Sequence, residues 1–100
     1  MRIDHRSTFD ADFAELLGYF RDNAGDAIAW RFVEAVERLV KLIATHPMMG
    51  RERRDLKPTG IRSFIVTEFR GYVLFYRVEG NSLVLLRLRY GGMNLSALFN

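Results

Sequence analysis

Arginine is the residue type with which this chain is best equipped to do chemistry. Thirteen of its 100 residues are arginine and two are lysine, and the planar guanidinium group suits contacts with carboxylates and phosphates. Residues 1–50 hold six basic and eight acidic side chains, a balance of −2, whereas residues 51–100 hold nine and four, a balance of +5. The second half therefore predicts a surface that meets an acidic protein or a nucleic acid, although a basic sheet can also simply keep a protein soluble.

The candidate binding residues follow from where the basic side chains fall on the predicted elements. One cluster crowds a loop, where only Glu52 and Asp55 offset the charge, and its members are Arg51, Arg53, Arg54 and Lys57. Further arginines lie on strands that we predict to be neighbours, which would bring them to one cationic surface able to hold phosphates or acidic side chains. The residues that we select as candidates for binding such a partner are Arg53, Arg62, Arg77, Arg87, Arg89 and Tyr90.

Other chemistries find little support in the residue types. The chain has no cysteine, which excludes thiolate catalysis and disulfides, and its two histidines, His5 and His46, accompany no nucleophile-elbow motif. No paired histidines or carboxylates have the spacing of metal ligands, so no metal and no cofactor is predicted. Asp10, Asp12 and Glu15 fall at the start of a predicted helix, where we interpret them as favourable charges near the helix dipole and not as a catalytic pair.

The apolar runs are also informative about compartment. They are far shorter than the roughly 20 residues that a membrane-spanning helix needs, and the first ten residues contain no apolar segment typical of a signal peptide. We therefore expect no membrane segment and a cytoplasmic protein.

Two helices and a group of strands must position these residues. Apolar residues recur at helical spacing from residue 9 to residue 20 and again from 28 to 43. Ser7 or Thr8 can cap the first helix, a turn is expected at residues 23–25, and Pro47 stops the second helix. Residues 8–46 therefore predict a helical hairpin, after a short edge strand within residues 2–6.

The rest of the chain changes to the alternating period of β-strands. After a loop at residues 47–60, we predict strands at 61–69, 72–79 and 82–90, with turns at Arg70-Gly71 and Gly80-Asn81. Strict alternation would place Arg87 and Arg89 on one face of the last strand, and Leu86, Leu88 and Tyr90 on the other. The fold class is thus α+β, in which a single domain over residues 1–100 packs the helical hairpin on a small antiparallel sheet. The tail after Gly91-Gly92 could pack back through Leu95, Leu98 and Phe99.

In this order, the segments resemble the RelE/ParE superfamily of type II toxin–antitoxin toxins, and within it the ParE branch. The matching segments are the N-terminal strand, Asn23-Ala24-Gly25 between the helices, Pro47-x-x-Gly50-x-x-Arg53, Gly60-Ile61-Arg62-Ser63-Phe64, Val73 to Asn81, and the ending from Leu86-Arg87-Leu88 to Leu98-Phe99. Together they cover nearly the whole chain. The chain departs from the common ParE-like ending, His-Gly-Arg-Arg-Asp-Leu, and has Tyr90-Gly91-Gly92-Met93-Asn94-Leu95 in its place, which points to a weak or retargeted toxin.

The resemblance implies a β-α-α-β-β-β fold and growth arrest by the free toxin. It also implies a ParD-like antitoxin that forms a hetero-oligomer with the toxin, contact with promoter DNA only through that antitoxin, and inhibition of DNA gyrase by binding and not by catalysis. The alternative is a RelE-type ribonuclease that cleaves messenger RNA on the ribosome. Such enzymes carry Lys or Arg where this chain has Phe64, Val66 and Val73, so this branch is disfavoured, although Arg62, Arg89 and Tyr90 could form a reduced set. A non-toxic interaction module is the third hypothesis.

Overall fold

Two long helices cover one face of a five-stranded sheet in the computed structural model, which describes residues 1–92 and Phe99. The elements in chain order are β1 (Arg2–His5), α1 (Ser7–Ala24), α2 (Asp26–Thr45), β2 (Arg51–Glu52), β3 (Arg62–Val66), β4 (Phe69–Glu79) and β5 (Ser82–Tyr90). The predicted α+β class and helical hairpin are thereby confirmed. Of the predicted tail contacts, only that of Phe99 falls within the described residues, and its ring lies 5.5 Å from that of Phe75.

The helical hairpin turns at a single glycine. Gly25 has a φ of 90°, a left-handed conformation that favours glycine, and its N–H donates to the carbonyl of Arg21 at 3.2 Å. At the other end, the predicted cap by Ser7 or Thr8 is wrong. The residue before α1 is Arg6, no side chain caps the helix, and the Thr8 hydroxyl donates instead to the carbonyl of Leu86 at 2.9 Å.

The sheet has the strand order β1-β5-β4-β3-β2. Strands β3, β4 and β5 form the predicted antiparallel meander, which confirms the predicted small antiparallel sheet for these strands. The parallel pairing of β1 with β5 makes the complete sheet mixed. The chain leaves β1 and returns to the sheet through the long helical connection, which does not impose the antiparallel pairing that a tight hairpin does. The two-residue β2, inside the predicted loop, pairs with β3 and was not predicted.

The turn between β3 and β4 lies earlier in the chain than the predicted turn at Arg70-Gly71. Val66 pairs with Phe69 across Thr67 and Glu68, and Glu68 has a φ of 75°, whereas the prediction placed the turn at Arg70-Gly71. Gly71 has a different role, because a Cβ at that position would lie 2.9 Å from the ring of Tyr90. The backbone at this glycine therefore passes close to the Tyr90 ring and does not form the turn.

A β-bulge interrupts the alternation of β5. Phe75 pairs with Arg87 and Tyr76 pairs with Leu85, so Leu86 is the extra residue. Leu86 consequently packs on the face of the sheet that the helices do not cover, whereas Leu88 packs towards the helices. The prediction that these two leucines share one face is therefore wrong, because the bulge shifts the alternation by one residue.

The sheet separates two apolar clusters of different size. The larger cluster lies between the sheet and the helices, and its fully buried members include Phe9, Phe32, Val36, Ile43, Val66, Leu74, Tyr76, Leu83, Leu85 and Leu88. The smaller cluster lies on the opposite face, where Leu56, Ile61 and Phe75 are buried under the loop that precedes β3. Among the described residues, no helix combines the length and the apolar character needed to cross a membrane.

Candidate functional site

A buried carboxylate organises two of the candidate arginines. Asp12 is 3% exposed, and its oxygens accept hydrogen bonds from Arg87 Nε at 2.7 Å, from Arg87 Nη2 at 3.0 Å and from Arg89 Nη1 at 3.3 Å. The backbone N–H of Leu88 also donates to Asp12, at 3.0 Å. The interpretation of Asp12 as a charge at the helix dipole is therefore wrong: its carboxylate belongs to the sheet as much as to the helix.

The position of this carboxylate follows from the short length of β1. The parallel pairing of β1 with β5 ends at His5 and Leu85, so the second half of β5 has no strand on that side. The start of α1 supplies substitute partners, since the N–H of Arg6 donates to the Leu85 carbonyl at 3.0 Å and the Thr8 hydroxyl to that of Leu86. The buried aspartate completes the series by accepting the next outward-pointing N–H, as buried backbone groups require.

The two arginines are thus held by the fold. The side chains of Arg87 and Arg89 are each 18% exposed, and Arg89 reaches Glu15 at 3.5 Å in addition to Asp12. A guanidinium group that neutralises a buried carboxylate contributes to stability mainly because its removal would leave that charge unpaired. Whether these arginines also contact a partner stays a prediction.

Arg53 is also held within the chain. Its Nε and Nη2 donate to the two oxygens of Asp55 at 3.0 and 2.7 Å, its Nη1 donates to the Ser63 hydroxyl at 3.3 Å, and its guanidinium carbon lies 5.7 Å from the centroid of the Phe75 ring. The hydrogen bond from Arg53 lowers the pKa of Asp55. The pair therefore persists at pH values at which an ordinary aspartate begins to take up a proton, and it is lost as the pH falls through this lowered pKa.

Arg62 helps Tyr76 to fix the segment that follows α2. Arg62 Nη1 donates to the carbonyls of Met48 and Gly50 at 3.3 and 2.8 Å. The Tyr76 hydroxyl donates to the Pro47 carbonyl at 2.7 Å and accepts the Gly50 N–H at 2.9 Å. A Cβ on Gly50 would lie 2.5 Å from that hydroxyl, so the approach requires glycine, and burial raises the pKa of Tyr76. This geometry gives a physical reason for the Pro47-x-x-Gly50 motif.

The remaining two candidates are more accessible. Arg77 lies beside Gly60 and pairs with Glu79 at 3.4 Å. Tyr90 is half exposed, its ring lies 5.6 Å from that of Tyr72, and with Tyr19 these rings line a recess of about 170 Å³. The structure therefore does not gather the six candidates into one site, but distributes them over both faces and the edge of the sheet.

Three exposed cations of the second half, Arg51, Arg54 and Lys57, lie elsewhere, on β2 and on the loop between β2 and β3. Arg54 has a side chain that is 87% exposed and makes one ion pair, to Glu52 at 3.1 Å. Arg51 and Lys57 have neither an ion pair nor a side-chain hydrogen bond within residues 1–92. The sequence does signal these residues as a charge cluster, but reasoning that favoured strand positions did not select them.

An apolar groove runs between the two helices and β1. It has a volume of about 290 Å³, and its walls are formed by Ile3, Phe9, Phe13, Val36, Val40 and Leu85. Charged and polar side chains, namely His5, Glu37 and Lys41, stand among these walls. Ile3 is 38% exposed on the outermost strand, so this wall of the groove is accessible to solvent.

Comparisons with known proteins agree on one family. The family model described as the ParE toxin of the type II toxin–antitoxin system parDE matches residues 3–95. Toxin ParE3 of Caulobacter vibrioides is 36% identical over 81 residues, which cover 78% of this chain and 77% of that protein.

Two solved structures share the fold. A chain of the chromosomal ParDE toxin–antitoxin system from P. aeruginosa superposes with a TM-score of 0.75 at 20% identity, covering 90% of this chain and 95% of that one. The YoeB/ParE toxin from Agrobacterium tumefaciens superposes with a TM-score of 0.63, also at 20% identity, covering 90% and 98%. These likenesses confirm the arrangement of two helices on a five-stranded sheet.

The buried carboxylate yields a prediction about stability. Asp12→Ala should lower the free energy of unfolding by about 3–5 kcal/mol, because it leaves two arginines without their shared partner. Asp12→Asn should cost less, since an amide oxygen can still accept the Leu88 N–H. Urea denaturation measures both effects, and the matched control is Asp22→Ala, an exposed aspartate in the same helix where a change below about 0.5 kcal/mol is expected. Equal effects at the two positions would contradict the role of Asp12.

Proposed function

The chain belongs to the ParE toxin family of type II toxin–antitoxin systems, and from that premise we propose that it arrests growth by binding DNA gyrase in the cytoplasm. We further propose that a ParD-like antitoxin encoded beside it neutralises it in a hetero-oligomer and provides its link to promoter DNA. Such a pair would stabilise a plasmid or chromosomal region that carries it. The toxin would act as an inhibitor and not as an enzyme.

The observation that favours inhibition over catalysis is that three positions on strands β3 and β4 hold apolar side chains. Phe64 is half-buried against the larger apolar cluster, Val66 is fully buried in it, and Val73 packs on the smaller one. RNA cleavage needs groups that move protons and stabilise a charged transition state, and none of these side chains can do so. Arg62 and Arg89, which could have formed a reduced catalytic set, are engaged by backbone carbonyls and by carboxylates.

The apolar groove supports the antitoxin part of the proposal. A groove lined by Phe13, Val36 and Val40 suits the apolar face of an amphipathic helix, which can bury residues at helical spacing between α1 and α2. The antitoxin segment would be acidic on its other face, since the toxin carries a net charge of +3. The apolar contacts would then set the lifetime of the complex, and the charges mainly its rate of formation.

The test of the gyrase proposal is a supercoiling assay with purified components. The toxin should inhibit gyrase, and equimolar antitoxin should restore supercoiling. In cells, expression should induce the DNA damage response before transcripts are lost. Rapid cleavage of messenger RNA with supercoiling untouched would contradict the proposal in favour of the ribonuclease. Unchanged growth on expression would indicate the non-toxic module.

The groove yields a second prediction, about the antitoxin. Val40→Ala should raise the rate at which the antitoxin dissociates by about 5- to 10-fold, because it removes an apolar contact from a wall of the groove, and should change the association rate little. The matched control is Leu42→Ala, which removes an exposed apolar side chain from the same helix outside the groove. Surface plasmon resonance measures both rates. An effect of Leu42→Ala equal to that of Val40→Ala would place the antitoxin elsewhere.

A further inference from the structure

The segment from Arg51 to Gly60, here called the basic loop, consists of β2 and the loop that leads to β3, and its cations fall into two groups. It contains four basic and two acidic side chains, a net charge of +2. Arg53 points inward and binds Asp55, Ser63 and the Phe75 ring, as described above. The other cations, Arg51, Arg54 and Lys57, all belong to exposed residues, so one arginine fixes the loop and three cations face outward.

The basic loop is anchored at several points. The N–H of Arg53 donates to the Ile61 carbonyl at 2.8 Å and the N–H of Leu56 to the Arg53 carbonyl at 3.3 Å. The Leu56 side chain is buried in the smaller apolar cluster. The outward cations therefore stand on a backbone that is already ordered, which reduces the conformational entropy lost when a ligand binds.

We propose that the basic loop binds the phosphates of double-stranded DNA, so that the toxin contacts the DNA held by its target as well as the target protein. The proposal rests on the proposed function, because gyrase is bound to DNA when it acts. Arg51 and Lys57 can meet a phosphate without first breaking an ion pair, and Arg54 gives up only an exposed pair with Glu52. Thr59 and Lys57 line the same recess of about 310 Å³, and a hydroxyl beside cations is typical of phosphate contacts.

The positions of the exposed apolar side chains favour DNA over an acidic protein as the ligand. Protein interfaces depend on buried apolar or aromatic anchors. In the described residues, the large apolar side chains that are exposed all lie outside the basic loop, and are Met1, Ile3, Tyr19, Trp30, Leu42, Met48, Ile65 and Tyr90. The apolar residue of the loop, Leu56, is buried. The basic loop thus presents cations and no exposed apolar anchor of its own, which suits phosphates because they are bound chiefly by charge.

The test compares two double variants that remove equal charge. Arg51→Gln with Lys57→Gln alters the basic loop. Arg31→Gln with Arg70→Gln is the matched control, since Arg31 on α2 and Arg70 on β4 are exposed and have no ion pair within the described part of the chain. The full toxin chain is titrated into a fluorescently labelled duplex of about 20 base pairs, and anisotropy is recorded from about 50 to 200 mM salt. Circular dichroism verifies that both variants fold.

The wild-type chain should bind the duplex at the lower salt concentration, with an affinity that falls steeply as salt is added. The loop variant should bind about 10-fold or more weakly, and its slope of log K against log salt should be shallower by about 2, because each lost phosphate contact removes about one unit. The control should keep the wild-type slope. Absence of binding, or equal losses in the two variants, would overturn the proposal.

Two further outcomes separate the proposals from each other. Competition by poly-glutamate as effective as that by unlabelled duplex, at equal concentration of negative charge, would overturn the DNA proposal in favour of an acidic protein. Supercoiling inhibition by a toxin that fails to bind DNA would overturn the role of the basic loop and leave the gyrase proposal standing. DNA binding without supercoiling inhibition would overturn the gyrase proposal and leave only the binding of DNA by the basic loop standing.

Discussion

On the side away from β4, the second half of β5 lies next to α1 instead of next to another strand, and the structure depends on how the backbone groups of that edge find partners. β1 is four residues long and cannot pair with all of β5, so outward-pointing backbone groups would be left without partners beside an apolar core. The carboxylate of Asp12 accepts one of these N–H groups, and a carboxylate buried in this way requires positive charge. Arg87 and Arg89 supply that charge. The need to pair the backbone groups at this strand edge thus engages two arginines of the sheet, Arg87 and Arg89.

The pairing of these arginines with Asp12 changes which surfaces are available for partners. The sequence suggested that the arginines of the second half form one cationic surface. However, Arg53 and Arg62, like Arg87 and Arg89 at the strand edge, make hydrogen bonds to groups of the same chain. Two other surfaces lie on different elements, namely the apolar groove beside the helices and the outward cations of the basic loop. The proposed antitoxin and the proposed phosphate ligand would therefore use separate parts of the molecule.

The helices and strands could be predicted from the sequence better than the pairing of the strands and the contacts between elements. The period of Phe9, Phe13 and Phe20 along one helix, and the alternation in β4 and β5, are local signals, so the helical hairpin and the meander could be predicted. The parallel pairing of β1, the bulge at Leu86 and the contact of Asp12 with Arg87 join residues far apart in the chain, and local periodicity contains no information on such contacts. The family was recognised from the order of short motifs, for one of which the contact between Gly50 and Tyr76 now gives a physical reason.

The claim that the strand arginines serve the fold is tested most directly by a double-mutant cycle between Asp12 and Arg87. The free energy of unfolding is measured for the wild-type chain, for Asp12→Ala, for Arg87→Ala and for the double variant. The account predicts a coupling energy of about 1–3 kcal/mol, because once the carboxylate is absent the loss of the guanidinium group costs little more. A coupling energy near zero would contradict it, and Arg87 would then be a surface cation available to a partner.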